Sequence, residues 1–147
     1  MDLIGLTYVS IRRHKPETDP LEELRRIHQQ SVRNNPDLGV TGVLLCTKNH
    51  YIQFIEGKEQ TTLDLFDKIQ KDKAHYNVKL RRSSTLDERQ FPDWSMNVVY
   101  IQSINQALYG YEDPTSDLNP YHLTSDVLFG LLSAGTKQTL CSQLRVA

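Results

Sequence analysis

The chain has 147 residues, of which 38% are hydrophobic and 24% are charged, and its formal net charge is −1. This size and composition predict one compact domain, with little left over for a second core. No apolar run approaches the roughly 20 residues that a membrane-spanning helix needs, and the first residues lack the pattern of a secretory signal. We therefore expect a cytoplasmic protein without a membrane segment.

Charge and cysteine content narrow the classes of partner further. Residues 1–101 carry 15 Lys and Arg against 14 Asp and Glu, and residues 102–147 carry two against four. Neither part has the basic excess that binding to a phosphate backbone requires, so nucleic acid is not an expected partner. Cys46 and Cys141 are far apart and lack Cys or His partners at metal spacing, which argues against a zinc site or a disulfide framework.

The first predicted element is a strand at residues 3–10. Its residues alternate between two faces, and Tyr8 shares a face with Ile4 and Leu6. This strand is therefore expected to be buried on at least one side.

A helix follows the polar loop after this strand. Asp19 followed by Pro20 and Glu22 is typical of a helix start, with an N-cap, a proline at the first position and an acid at the third. Because the residue before a proline is pushed out of the helical conformation, we expect the helix to end near Asn34, before the Asn-Pro pair at 35–36. One stripe of the helix is predicted to pack on the protein: Leu21, Leu24, Ile27, Ser31 and Val32.

Two strands, a second helix and two more strands come next. Residues 40–47 and 51–56 are apolar segments joined by a short polar hairpin. Thr61 or Thr62 is a candidate cap for a helix that ends near Asp72. The two remaining predicted strands lie at residues 78–85 and 94–101. A helical segment is predicted after them, at residues 123–132.

This order of elements predicts the fold class. Strand, helix, strand, strand, helix, strand, strand indicates an α+β fold, a ferredoxin-like βαββαββ sandwich with a five-stranded mixed sheet and two helices on one face. After residue 101 the strand pattern ends, and a turn-rich stretch at 109–114 precedes the last predicted helix. We expect residues 1–101 to form the domain, and residues 102–147 to add a C-terminal helical cap that is not an independent domain.

Gln53 is the most unusual residue of the predicted sheet. It lies in the apolar segment Tyr-Ile-Gln-Phe-Ile, where an unpaired amide would cost about 1–3 kcal/mol. Strands one and three are neighbours in a ferredoxin-like sheet, so Tyr8 and Gln53 can meet on one face. The spacing alone does not exclude the plainer interpretation, in which Tyr8 is a core tyrosine and Gln53 bonds a backbone carbonyl.

Four further positions leave a structural and a functional alternative open. Asn35 is either a helix-terminal turn former or an amide that binds a ligand. Trp94 and Met96 share one face of the last strand, either as core residues or as flanks of an aromatic ligand. His75 either neutralises a phosphate or caps the end of the second helix.

Four short motifs together resemble the BLUF family of blue-light receptors that use flavin. They are LTYVS near the start, RNNPDLGVTGVLLC and YIQFIEG in the middle, and FPDWSM near the end. Their order, spacing and placement on the predicted elements agree jointly with that family over residues 1–101. The resemblance implies non-covalent binding of FAD between the two helices and no enzymatic turnover, because the cofactor carries the photochemistry.

The resemblance also implies roles for individual residues. Tyr8 matches the family tyrosine that donates an electron and a proton to the excited flavin, and Gln53 matches the bridging glutamine. Asn35 matches the asparagine that holds the C4 carbonyl and N3 edge of the flavin. Asn34 matches a second polar contact, and Ile27 matches a residue that lines the ring.

The end of the matched region carries a further pair of roles and one departure. Trp94 and Met96 match a pair thought to exchange places near the glutamine. Several short family members have a basic residue just before the histidine that follows the second helix, whereas this chain has Ala74 there. Lys73 and His75 are therefore candidate substitutes for contacts to the phosphates or the ribityl chain.

Because the chain is too short to include an attached output domain, we expect the signal to leave through strand five and the C-terminal helices, to a separate protein partner or through self-association, with the partner as the leading hypothesis. The resemblance also implies that the chain forms a homo-oligomer. Two other classes of function stay open as alternatives. A small ferredoxin-like enzyme of the acylphosphatase type would need an anion-binding loop after strand one. The segment RRHKPETDP has arginines but no glycine-rich cradle. The last alternative is a binding module without a cofactor.

Overall fold

The computed structural model describes residues 2–13, 19–93, 96–110, 113 and 116–136. Its centre is a five-stranded sheet that consists of β1 (Leu3–Arg12), β2 (Thr41–Cys46), β3 (His50–Lys58), β4 (His75–Leu86) and β5 (Asn97–Tyr100). The strand order is β4-β1-β3-β2-β5. All neighbours run antiparallel except β2 and β5, which are parallel. The predicted α+β sandwich with a mixed five-stranded sheet is confirmed.

Two helices, α1 (Pro20–Leu38) and α2 (Glu59–Gln70), cover one face of the sheet. Leu24 of α1 and Phe66 of α2 belong to the same buried cluster as Leu6 and Ile55 of the sheet. The apolar stripes of both helices therefore bury the face that also carries Tyr8.

The C-terminal elements cover the opposite face. They are α3 (Ile104–Tyr109), a 3₁₀ turn (Pro120–His122) and α4 (Ser125–Gly135). Leu128 and Leu132 of α4 form a second buried cluster with Ile52 and Phe54 of β3. Because successive strand residues point to opposite faces, β3 is buried on both sides, which explains its nearly continuous apolar sequence.

Helix α1 is longer than the sequence predicts. It runs through Pro36 to Leu38, so the predicted end near Asn34 is wrong. Gly39 ends the helix in the left-handed conformation with φ 67, which a glycine adopts without strain, and its N–H bonds the carbonyl oxygens of the last turn. Val32 was predicted to pack on the protein but is 45% exposed, so this part of the predicted stripe is wrong. Because proline has no N–H, Pro36 leaves the Val32 carbonyl without its usual partner in the helix.

Other boundaries also differ from the predicted ones. Helix α2 begins at Glu59 directly after β3, with Lys58 at the N-cap position and no side-chain cap, and Thr62 is fully buried inside the helix. A cap at Thr61 or Thr62 is therefore wrong, because β3 continues two residues beyond its predicted end at residue 56. Strand β4 begins at His75, three residues earlier than predicted.

The C-terminal part contains a helix that the sequence did not indicate. Helix α3 is capped by Ser103, whose hydroxyl accepts from the N–H of Gln106. It has only six residues, too few for a periodic pattern to stand out. Helix α4 was predicted at residues 123–132 and lies slightly later, because Thr124 serves as its N-cap.

Candidate functional site

The centre of the candidate site is a contact between β1 and β3. Tyr8 lies directly opposite Gln53 in the antiparallel register of the two strands. Both side chains are buried on the face that α1 and α2 cover, at 2% and 5% exposure. The Tyr8 hydroxyl donates a hydrogen bond to Oε1 of Gln53. The two residues therefore meet, as the strand pairing predicts.

The Gln53 amide makes a second contact on its other side. Its Nε2 donates to Sδ of Met96 at 3.4 Å. A thioether can only accept, and weakly, whereas a phenol can both donate and accept. The hydrogen-bond pattern therefore fixes the amide with its nitrogen toward Met96 and its oxygen toward Tyr8. Trp94, the other predicted switch residue, lies outside the described residues.

A cavity of about 460 Å³ lies beside this contact, between α1, α2 and the sheet. Its size falls within the range of about 300–1,000 Å³ that is usual for small-molecule and cofactor sites. Apolar walls come from Leu44, Leu65 and Ile69, among others. The predicted site residues that line it are Tyr8, Ile27, Asn34, Asn35, Gln53, His75 and Met96.

Helix α1 supplies three of these residues from one face. Ile27 precedes Asn34 by two helical turns, and Asn35 follows directly. Asn35 is 4% exposed, whereas Asn34 is exposed at the rim of the cavity. Because α1 continues past Pro36, both asparagines are held inside a regular helix rather than on a turn. The helix thereby fixes the direction in which the Asn35 amide enters the cavity.

His75 is bound on both ring nitrogens. Its Nε2 lies 2.6 Å from the carbonyl oxygen of Ile69 in the last turn of α2, and its Nδ1 lies 2.7 Å from Oγ of Ser10. Since a carbonyl can only accept, Nε2 carries a proton and donates it to Ile69. The geometry matches the helix-capping alternative, and no ring nitrogen is left for a phosphate. The ring edge still contacts Tyr8, at 6.0 Å between centroids.

Helix α2 contributes residues that sequence reasoning missed. Leu65, Lys68 and Ile69 line the cavity from α2, and Asp72 lines it from just beyond the end of the helix. Lys68 and Ile69 follow Leu65 by three and four residues, which places the three on one helix face, and this spacing is visible in the sequence once that face is known to border a cavity. Lys68 supplies a cation to the wall, whereas Lys73, proposed from the sequence, is not among the lining residues.

Burial sets the protonation of the two cavity tyrosines. Burial, followed by the nearby Tyr51 and Asp72, raises the pKa of Tyr8 far above its ordinary value. Burial also raises the pKa of Tyr51 to about 12. The Tyr51 hydroxyl is buried beside the Arg12 guanidinium, which offsets part of this rise in the pKa. Both phenols are therefore neutral near pH 7.

The donor set of the cavity fits a flavin. A flavin ring presents a flat apolar surface and an edge of alternating carbonyl and N–H groups. The apolar walls suit the first, and the amides of Asn35 and Gln53, which both donate and accept, suit the second. Among the described residues, no group of three or more His, Cys, Asp or Glu could hold a metal ion. No helix in those same ranges is long and apolar enough to cross a membrane.

Comparison with known proteins agrees with this geometry. The family model described as "BLUF: Sensors of blue-light using FAD" matches residues 3–97. The chain is similar to BlsA in its photo-activated state, with 32% identity and a TM-score of 0.79 over 94% of this chain and 97% of that chain. It is similar to the dark-state structure of BlrB, with 35% identity and a TM-score of 0.63 over 67% of this chain and 73% of that chain.

Two curated relatives are much longer than the matched region. Photoactivated adenylate cyclase subunit beta of Euglena longa is 30% identical over 97 residues, which are 64% of this chain and 11% of that protein. The blue light- and temperature-regulated antirepressor BluF of Escherichia coli (strain K12) is 30% identical over 73 residues, which are 50% of this chain and 18% of that protein. The chain spans less than a fifth of either relative. The family match extends over most of the chain, from residue 3 to residue 97, and the chain therefore belongs to the BLUF family of flavin-binding blue-light sensors.

Proposed function

We propose that this chain is a blue-light photoreceptor that binds FAD non-covalently in the cavity and switches through Tyr8 and Gln53. The observation that carries the proposal is the hydrogen-bonded series from Tyr8 through Gln53 to Met96 at the cavity wall. The bound flavin would supply the absorption of blue light and the acceptor for an electron and a proton. The chain acts as a sensor and not as an enzyme.

Tyr8 is suited to the role of donor. Its phenol is neutral and keeps its proton until a neighbouring group takes it, because burial opposes the charged phenolate. The proton lies on the Tyr8 oxygen and points at Oε1 of Gln53. Release of the proton therefore proceeds toward the Gln53 amide.

Gln53 is suited to the role of switch. The bond from its Nε2 to the Met96 sulfur is weak, so little is lost when the amide turns. The Tyr8 hydroxyl can donate to the amide oxygen or accept from the amide nitrogen, so both orientations of the amide keep this partner. Rotation thus exchanges a donor for an acceptor at the cavity wall at low cost. Trp94 and Met96 are proposed as the pair that responds to this change.

The cofactor contacts follow from the lining residues. We assign Ile27 to the ring, Asn34 and Asn35 to its polar edge, and Lys68 to the phosphates in place of a basic residue at Ala74. His75 contacts the cofactor through its ring, because both nitrogens are already bonded. Mass spectrometry of the flavin released from the purified protein would distinguish FAD from FMN. Lys68→Ala should weaken binding of FAD, whereas Lys73→Ala, which alters a lysine outside the lining, should not.

Absorption spectroscopy tests the switch. The purified wild type should be yellow, and blue light should shift its flavin bands to longer wavelength, with return in darkness. Tyr8→Phe and Gln53→Leu should each keep the flavin and abolish the reversible shift. Tyr100→Phe removes a phenol from the same side of the sheet outside the cavity lining and should keep the shift. A full shift in Tyr8→Phe or Gln53→Leu would overturn the assignment.

We further propose that residues 1–101 form the sensor and residues 102–147 an extension that passes the signal from β5 to a separate protein in the cytoplasm. Packing of α4 on β3, on the face opposite the cavity, supports this arrangement. The chain is also proposed to form a homo-oligomer. Light scattering coupled to gel filtration, in darkness and under blue light, measures the mass of the assembly in both states.

The acylphosphatase-type alternative is not favoured. Such an enzyme would need a free arginine after strand one to hold an anion. Arg12 is 4% exposed and donates to the carbonyl oxygens of Thr47 and Lys48, while the Arg13 guanidinium lies 4.8 Å from the ring centroid of Tyr76. The cavity and the family match also argue against a binding module without a cofactor.

A further inference from the structure

The strand pair that carries Tyr8 contains an irregularity directly beside it. Thr7 of β1 lies opposite Arg82 of β4, whereas Tyr8 lies opposite Leu80. Arg81 is therefore the extra residue of a β-bulge next to Tyr8. A bulge of this kind redirects a side chain and marks a position where regular pairing has been given up.

The Arg81 side chain reaches the C-terminal elements on the far face of the sheet. Its Nη1 donates to the carbonyl oxygens of Pro120 at 3.2 Å and Tyr121 at 2.9 Å, and its Nη2 donates to that of Leu123 at 2.7 Å. These carbonyls belong to the 3₁₀ turn and its C-terminal cap. One guanidinium thus holds the segment that leads into α4.

The strength of this contact comes from charge and geometry. Hydrogen bonds to a charged donor contribute about twice as much as neutral ones, and the planar guanidinium loses little freedom when several acceptors fit its fixed fork. Arg81 is half-buried, so solvent screens these bonds less than it would at the surface. The end of a helical turn also carries partial negative charge, which favours a cation.

The neighbouring Arg82 provides a contrast. Its Nη1 lies 3.0 Å from Oδ1 of Asp126 in the first turn of α4. The two side chains are 49% and 88% exposed, so this ion pair is screened and contributes little. Both arginines link β4 to the same C-terminal segment, but only Arg81 is the bulged residue beside Tyr8.

We propose that Arg81 is a positioning residue that couples the strand of Tyr8 to the C-terminal segment 116–136. The inference rests on the proposed photoreceptor function. A change in the hydrogen bonding of Tyr8 shifts β1 against β4 at the bulge, where the pairing is already irregular. The rigid guanidinium transmits this shift to three backbone carbonyls and so to the start of α4. Signal thereby leaves the sensor through β4 as well as through β5.

Hydrogen–deuterium exchange tests the coupling in the FAD-loaded protein of 147 residues. Exchange of peptides within residues 116–136 is measured in darkness and under blue light for the wild type, Arg81→Gln, Arg81→Lys and Arg82→Gln. In Arg81→Gln the red shift of the flavin should persist. The light-minus-dark difference in exchange should fall by about fivefold or more, because typical coupling between two sites corresponds to a factor of about five at its lower limit. Arg82→Gln should stay within about twofold of the wild type, as expected for an exposed pair.

The variants separate coupling from simple support. A residue that only stabilises the segment would change exchange equally in darkness and in light and leave the difference intact, which would overturn the inference. Arg81→Lys keeps the charge but loses the fork, so it should fold with an intermediate difference. The inference would also be overturned if the light-minus-dark difference were unchanged in both Arg81 variants, or if light had no effect on residues 116–136 of a photoactive wild type. Neither result would contradict the proposed photochemistry. A wild type without a red shift would refute both proposals.

Discussion

Replacement of Glu56 by glutamine tests how β3 holds the segment that leads to Met96. Glu56 is fully buried, and its carboxylate accepts from the N–H groups of Gln90 at 2.6 Å and Phe91 at 2.7 Å, and from the hydroxyl of Thr41 at 3.0 Å. Glutamine has the same shape but turns one of the two acceptor oxygens into a donor. Either orientation of the new amide therefore leaves one backbone N–H facing another donor.

The expected cost follows from this geometry. An unsatisfied buried donor costs about 1–3 kcal/mol, and the remaining bonds lose the gain of roughly 1 kcal/mol that a charged acceptor provides. The neutral amide is easier to bury than a carboxylate, which offsets part of the loss. We therefore expect the free energy of unfolding to fall by about 2 kcal/mol. For a chain of this size, that corresponds to a decrease in Tm of about 4–8 °C.

Thermal and urea unfolding followed by circular dichroism would measure both quantities. Glu88→Gln is the matched control, because Glu88 lies in the loop between β4 and β5 that also contains Gln90 and Phe91, but its side chain is exposed. It should change the free energy of unfolding by less than about 0.5 kcal/mol. A Tm of Glu56→Gln equal to that of the Glu88→Gln control would refute the assignment of the carboxylate as the anchor of this loop.

Three further outcomes are expected. Asn35→Ala should raise the Kd for FAD by roughly 5–30-fold, because one or two buried hydrogen bonds are lost. Asn34→Ala, at the exposed rim of the cavity, should raise the Kd less, and fluorescence titration measures both values. Burial raises the pKa of Tyr8 in the folded protein, so above about pH 10 the Tyr8 phenol loses its proton in the unfolded chain but keeps it in the folded one. Ionisation of Tyr8 should therefore lower the free energy of unfolding by up to about 1.4 kcal/mol per pH unit. Urea unfolding measures this loss, which Tyr8→Phe should remove. Gly42→Ala would place Cβ 2.2 Å from a backbone oxygen of β3 and should unfold the protein, whereas Gly130→Ala meets nothing within 4 Å and should not; circular dichroism distinguishes the two.

The meeting of Tyr8 and Gln53 could be predicted because it depends on two regular features. Strand residues alternate between faces with a period of two, and the order of elements places β1 beside β3. On α1, helical periodicity predicts Ile27 and Ser31 of the cavity lining, whereas Asn34 and Asn35 were assigned from the family resemblance. The family resemblance then supplied what periodicity cannot, namely that the chain binds a flavin.

The differences arise where tertiary contacts outweigh local preference. The Asn-Pro pair at 35–36 predicts a helix end, yet α1 continues because the carbonyl that the proline leaves unpaired belongs to an exposed residue and Gly39 closes the next turn. Lys68 was not predicted as a site residue, since its proximity to the cavity depends on how α2 packs on the sheet. Arg81 could not be singled out, because both its bulge and its acceptors come from residues distant in the sequence.

Infrared difference spectroscopy with labelled glutamine tests the central claim most directly. The FAD-loaded protein would carry ¹⁵N in its glutamine side chains, and light-minus-dark spectra of labelled and unlabelled samples would be compared. We predict a light-induced amide band that shifts with the label in the wild type and disappears in Gln53→Leu. A red shift of the flavin without any labelled glutamine band, or the same band in Gln53→Leu, would contradict the proposal that the Gln53 amide is the switch.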